Sequence, residues 1–154
     1  MPPDSEPGPF PVRHVAQVEE RREEEVWLVE QLWGRGAVGF TAAPPKTCKT
    51  FLCCELAVAV ATGSPALGRF AVPEPGPVLF YGAEDDQPSL RGRFEGLARA
   101  RGLVLADAPI FLLDVNQLRL DWPDDVARLR ATIAEHRPAL VVLDPFVRIA
   151  RIDE

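Results

Sequence analysis

A chain of 154 residues has the length of about one domain, and an apolar content of 47% supports a packed core rather than a disordered chain. The net charge of −6 argues against a general electrostatic grip on nucleic acid, although a local basic patch remains compatible with it. The first residues lack the charged start and apolar stretch of a secretory signal, and no apolar run is long enough to span a bilayer, so a cytoplasmic protein without membrane contact is expected.

Residues 1–13 are Pro-rich and read as a flexible tail. "HVAQVEERREEE" (14–25) can form a short charged helix, and "VWLVEQLW" (26–33) is either a strand or the continuation of that helix. "AVGFTA" (37–42) reads as a buried strand, and a helix follows from about Thr50 to Thr62. Residues 63–76 are rich in Gly and Pro and form a connection. "PVLFYGAEDD" (77–86) is a second strand ending in acids, and 87–102 is an amphipathic helix that sets Leu90, Phe94, Leu97 and Ala98 on one face. "APIFLLD" (108–114), a helix over 121–136 with Pro123 in its first turn, and "PALVVLD" (138–144) complete the pattern. Apolar strands alternating with helices predict an α/β three-layer sandwich with a mostly parallel sheet.

In such a sheet, ligands bind at the carboxyl ends of the strands. The loop "AAPPKTCKT" leaves the first strand there and holds Lys46 and Lys49, the only lysines in the chain. A phosphate-binding loop would place glycines where this chain has Ala43 and Cys48. Alanine is tolerable at 43 if its φ is negative, whereas the Cβ and sulfur of Cys48 must turn away from the anion. Pro44 and Pro45 have no N–H, which leaves the amides from Lys46 and Thr47 through Cys48 and Lys49 to Thr50 as donors. In a phosphate loop Lys49 would lie against the phosphates, and Thr50 would offer its hydroxyl to Mg²⁺. The competing reading is a solvated basic turn that caps a core helix. The three cysteines, Cys48, Cys53 and Cys54, suit small buried residues in a reducing compartment better than a disulfide or zinc site.

Two further acids end strands. Glu84 follows the second strand at the same sheet edge, where a carboxylate can orient a water; its alternative role is as a helix cap, which Asp85 or Asp86 would fill better with a shorter side chain. Asp144 ends the most apolar strand and would hold Mg²⁺, with Asp114 a rival of the same form. Arg91 and Arg93 read as a solvated helix face, with one of them reaching phosphate or a neighbouring subunit as the alternative; Trp27 and Trp33 read as packing beside the first strand, and His14 and His136 have no evident partners.

The loop, "GPVLFYGAEDDQPSLRGRFEGL" and "PALVVLDPFVRIARIDE", in that order and spacing, resemble the RepA-like branch of the RecA-type AAA family ATPases. From about Trp27 onward, the resemblance implies a P-loop core and an ATP- and Mg²⁺-dependent hydrolase. Residues Ala43 to Phe51 would bind nucleotide, Lys49 and Glu84 would be catalytic, and Thr50 and Asp144 would hold the metal. It also implies a homo-oligomeric ring or filament and a role in DNA replication, repair or mobile-element maintenance, with DNA suggested by likeness alone. RecA-type cores continue beyond the strand that ends at Asp144, so residues 14–154 read as the N-terminal portion of a longer domain; a small protein that completes its sheet with a partner is the alternative. On function, a nucleotide-responsive binding module with little hydrolysis and, more weakly, a small-molecule kinase stand beside the ATPase.

Overall fold

The computed structural model describes residues 10–19 and 26–150. The expected tail over 1–13 and the charged helix over 14–25 fall partly outside them; within them Val15–Gln17 forms a single 3₁₀ turn. Residues 26–34 form neither one strand nor a helix. They make a small antiparallel pair, β1 (Trp27–Val29) and β2 (Trp33–Gly34).

The main sheet has three parallel strands in the order β4-β3-β5, comprising β3 (Val78–Gly82), β4 (Ile110–Leu112) and β5 (Leu140–Asp144). Leu79 pairs with Phe111 on one side and with Val141 on the other, and Gly82 stands abreast of Asp144. Alternation along β3 builds two cores. Val78 and Phe80 face α1 (Lys49–Thr62) and α2 (Gln87–Ala100). Tyr81 faces the opposite layer, where Leu118, Leu129 of α3 (Pro123–His136) and Ile149 of α4 (Phe146–Ile149) pack. The expected three layers are therefore present, formed by the period-2 pattern of a strand covered on both sides.

Helix α1 is apolar on nearly every face of its second half, with Cys54, Ala57, Val58, Ala59 and Val60 fully enclosed. Small side chains let it lie close to the sheet and to α2 at once. It stops at Gly63, whose φ of 73° turns the chain and whose N–H caps the carbonyl of Ala59. Helix α2 starts where Asp86 accepts a hydrogen bond from the Ser89 N–H, so the cap is Asp86 and not Glu84. This bond is the main reason the Asp86 carboxyl sits below its ordinary value. Phe94 of α2 meets Phe80 edge to face at 5.4 Å between centroids, a geometry that adds about 0.5–1.5 kcal/mol to the burial of both rings. A Cβ at Gly82 would stand 2.7 Å from Leu90 Cδ1, so a larger residue at the strand end would require the Leu90 side chain to shift.

One expected element is not formed. Residues 37–42 are irregular, with Val38 92% and Phe40 70% exposed. A cavity of about 670 Å³ is lined both by this segment, through Phe40 and Thr41, and by β5, through Val141 and Leu143. Strands pair at about 4.8 Å, and across such a gap the segment has no ladder partner. Its apolar composition is strand-like, but composition supplies no hydrogen bonds.

Candidate functional site

The loop between that segment and α1 takes its shape from two residues in a left-handed conformation, Lys46 at φ 64° and Cys48 at φ 61°. Ala43 is not among the positive-φ residues, so its methyl group is compatible with the local backbone. Cys48 occupies the harder position. It stands at the N-cap of α1, exposed, without a side-chain cap bond, in a conformation that favours glycine. Thr47 donates its hydroxyl to the Pro44 carbonyl at 2.6 Å and tightens the turn. The Lys49 ammonium folds back onto the carbonyls of Ala43 and Pro44, at 2.8 and 2.9 Å. The first backbone bond of α1 runs from Leu52 N–H to the Cys48 carbonyl. The N–H groups of Lys49, Thr50 and Phe51 precede it and keep their donors for another acceptor.

Ala43, Lys49 and Asp144 line the same 670 Å³ cavity at the carboxyl end of β5. Asp144 also acts electrostatically on Cys53, one turn into α1, adding to the burial that pushes that thiol up to about 11. Cys54, more deeply enclosed, is pushed up to about 12, chiefly by burial. Both are neutral thiols at ordinary pH, in keeping with the packing role expected of them. Asp114, the rival of Asp144, accepts a hydrogen bond from the Gln87 side chain at 2.7 Å and lies outside that cavity lining. Of the residues expected at the metal and the water, Asp144 lines that cavity, whereas Thr50 and Glu84, like Asp114, do not.

Glu84 stands two residues beyond Gly82, which is abreast of Asp144, and the Ala83 N–H donates to the Asp144 carbonyl at 2.7 Å. The two acidic strand ends are therefore bonded side by side. Asp85 is gripped by both terminal nitrogens of Arg93, one at 2.7 Å. That pairing raises Arg93 above its ordinary value and makes it a fixed part of the site rather than the solvated face expected from sequence. Arg91 remains exposed. Trp33 packs beside the segment before the loop, its ring lying against Gly39.

Sequence reasoning missed two contacts. Arg148 pairs with Glu84, Nε to Oε1 at 3.5 Å, and Phe146 meets Phe40 edge to face at 5.2 Å. Both come from the turn after Asp144. No spacing or periodicity signals either one, because each bridges positions more than sixty residues apart.

A helix N-terminus with free amides, an ammonium beside it and a carboxylate lining the same cavity form an arrangement suited to a polyanion accompanied by a cation. A family model described as an AAA domain matches residues 4–154. The chain belongs to the AAA domain family. This is a family of nucleotide-binding ATPase domains, and the three-stranded parallel sheet flanked by helices is compatible with its α/β core. No curated protein and no solved structure matches the chain. Among the described residues no helix is long and apolar enough to cross a membrane.

Proposed function

We propose that this AAA-family chain is a RecA-type domain that binds ATP with Mg²⁺ at residues Ala43 to Phe51 and hydrolyses the terminal phosphoanhydride. The observation that carries the reading is that Lys49 and Asp144 line one cavity at the carboxyl end of β5, with the open N-terminus of α1 beside them. The residues present fit the group. The amides that precede the first bond of α1 are unsatisfied within the helix, and an anion at that end also meets the positive pole of the helix dipole.

On this reading each residue has a defined task. Lys49 exchanges the carbonyls of Ala43 and Pro44 for phosphate oxygens. Thr50, in the first turn of α1, and Asp144, at the end of β5, hold the metal. Bound Mg²⁺ supplies charge neutralisation at the phosphates. Glu84 accepts a hydrogen bond from the attacking water and orients it. Arg93 holds Asp85 and so steadies the chain on which Glu84 stands. The assembly into a ring or filament and the role in DNA replication, repair or mobile-element maintenance rest on the resemblance of the three motifs to the RepA-like branch.

A second reading is favoured by a specific feature. Lys49 is engaged by the loop's own carbonyls and Glu84 by Arg148, a configuration that suits a nucleotide-responsive module with little turnover. One experiment tests both readings. A fluorescent ATP analogue should bind wild type in a Mg²⁺-dependent way and Lys49→Ala at least about tenfold more weakly, because a charge-assisted contact to phosphate is lost. Turnover by wild type but not by Glu84→Gln supports the ATPase. Equal, negligible rates with nucleotide still bound favour the module, and no binding by wild type overturns both.

A further inference from the structure

Residues 38–47 lead into the loop and form most of it, yet among the described residues they take part in no backbone-to-backbone hydrogen bond. Side chains hold them instead. The Trp33 ring lies against Gly39, and Thr47 and Lys49 bond carbonyls of the loop itself. Phe40 meets the ring of Phe146 edge to face, at 5.2 Å between centroids and 81° between planes. Of these contacts, the Phe40–Phe146 pair is the one that joins the approach to the loop with the chain that follows β5.

The two rings stand on unequal supports. Phe146 begins α4, which is anchored at its other end: Ile149 is fully enclosed in the second core, and its carbonyl accepts the Leu120 N–H at 2.7 Å. Two residues before Phe146, Asp144 is in register with Gly82, and its carbonyl accepts the Ala83 N–H. Phe40 is 70% exposed, on a segment with no ladder. The β5 side is therefore fixed, whereas backbone with so few hydrogen bonds opens at low free energy. Phe40, Lys49, Asp144 and Phe146 all line one cavity.

We propose that Phe40 and Phe146 form a clasp that positions the loop relative to Asp144, so that a metal-bearing polyphosphate can be held from both sides. The inference rests on the nucleotide reading above and adds to it two positioning residues. The anion alone needs only the loop side. The amides at the start of α1 and the Lys49 ammonium belong to one stretch of chain, so opening the clasp leaves their mutual geometry in place. The metal is different, because Asp144 stands on the fixed side. Mg²⁺ demands near-ideal octahedral geometry with ligands at about 2.0–2.1 Å, which a loop at a variable distance from β5 does not offer. An edge-to-face pair has a preferred separation and orientation, so it fixes that distance better than apolar contact without direction. The clasp thus sets what the metal adds to binding and leaves the anion's own share alone.

The test is equilibrium binding of a fluorescent ATP analogue, in Mg²⁺ and in EDTA, to wild type, Phe40→Ala, Phe146→Ala, the double variant and Phe146→Tyr. The proposal expects Mg²⁺ to tighten binding by wild type. Each alanine variant should lose about two- to tenfold of that increment, the worth of one aromatic pair, with affinity in EDTA unchanged. The double variant should lose no more than either single one, because the rings act as a unit. Phe146→Tyr keeps the ring and should keep the increment. Phe40 is largely exposed, so Phe40→Ala should melt with wild type and decides the matter if Phe146→Ala does not fold. Equal losses in Mg²⁺ and EDTA, losses that add in the double variant, or an unchanged increment overturn the clasp and leave the nucleotide reading standing. A wild type with the same affinity in both conditions overturns the clasp and the metal half of that reading. Failure of wild type to bind in either condition overturns the whole reading and the clasp with it.

Discussion

Replacing Cys48 with glycine tests whether the loop stores strain. Cys48 is at φ 61° and ψ 26°, with its carbonyl already committed to the first bond of α1. A residue with a Cβ in the left-handed region costs roughly 1–2 kcal/mol relative to glycine. Glycine returns roughly 0.5–1 kcal/mol of that gain because it makes the unfolded chain freer. The net expectation for Cys48→Gly is a stabilisation of about 0.75 kcal/mol at the middle of a span of roughly 0–1.5 kcal/mol, or roughly 1.5–3 °C in melting temperature for a chain near this size. Thermal melts and urea titrations of wild type, Cys48→Gly and Cys48→Ala measure it. Alanine keeps the Cβ and loses the sulfur, so it should melt with wild type and isolate the backbone as the cause. A Cys48→Gly chain no more stable than Cys48→Ala would refute the reasoning, since the left-handed geometry would then carry no cost. If the loop binds nucleotide as proposed, the same substitution also removes the Cβ and sulfur from its mouth, and affinity for the ATP analogue should rise.

Glu55 is the one buried acid among the described residues; it pairs with Arg101 and accepts the N–H of Leu67, itself at φ 53°, at 2.7 Å. Glu55→Ala leaves an enclosed guanidinium and a loop amide without their acceptor and should cost about 3 kcal/mol in urea unfolding; a cost below about 1 kcal/mol would show that Arg101 finds water instead. Cys53 and Cys54 should resist Ellman's reagent at pH 8 in the folded chain while exposed Cys48 reacts at once, and all three should react in denaturant. Their thiols are raised to about 11 and 12 from an ordinary 9.0, so the folded state keeps protons that the unfolded state releases above pH 9. Stability is therefore whole below pH 9 and falls as pH rises toward 11 to 12; Cys53→Ala/Cys54→Ala should flatten that decline.

The elements legible from sequence were those whose signal is local. Helix α2 follows from the spacing of Leu90, Phe94, Leu97 and Ala98, all buried as expected, and its cap was narrowed to Asp85 or Asp86, of which the structure uses Asp86. The apolar runs of β3 and β5 identified strands covered on both faces, and the three layers followed from their alternation with helices. At the candidate site, the loop was recognisable from its lysines and from Ala43 and Cys48 in place of glycine, and Asp144 was preferred to Asp114 because its strand is the more apolar. The structure adds that Asp144 and Lys49 line one cavity, a juxtaposition of distant positions that no local pattern carries.

Residues 37–42 mark the limit of local reading. Their composition is that of a buried strand, yet strand formation depends on a neighbour at hydrogen-bonding distance, and a cavity stands where that neighbour would be. Arg93 illustrates the same point with side chains: its helical position fits a solvated face, but the turn after β3 brings Asp85 within its reach. Arg148 and Glu84 are 64 positions apart in the sequence and meet because β3 and β5 run side by side. Sequence by itself determined what each segment could become, because propensity and periodicity act over a few residues. Which segments and charges became partners was left to the tertiary structure, because pairing depends on distances that only the packed sheet defines.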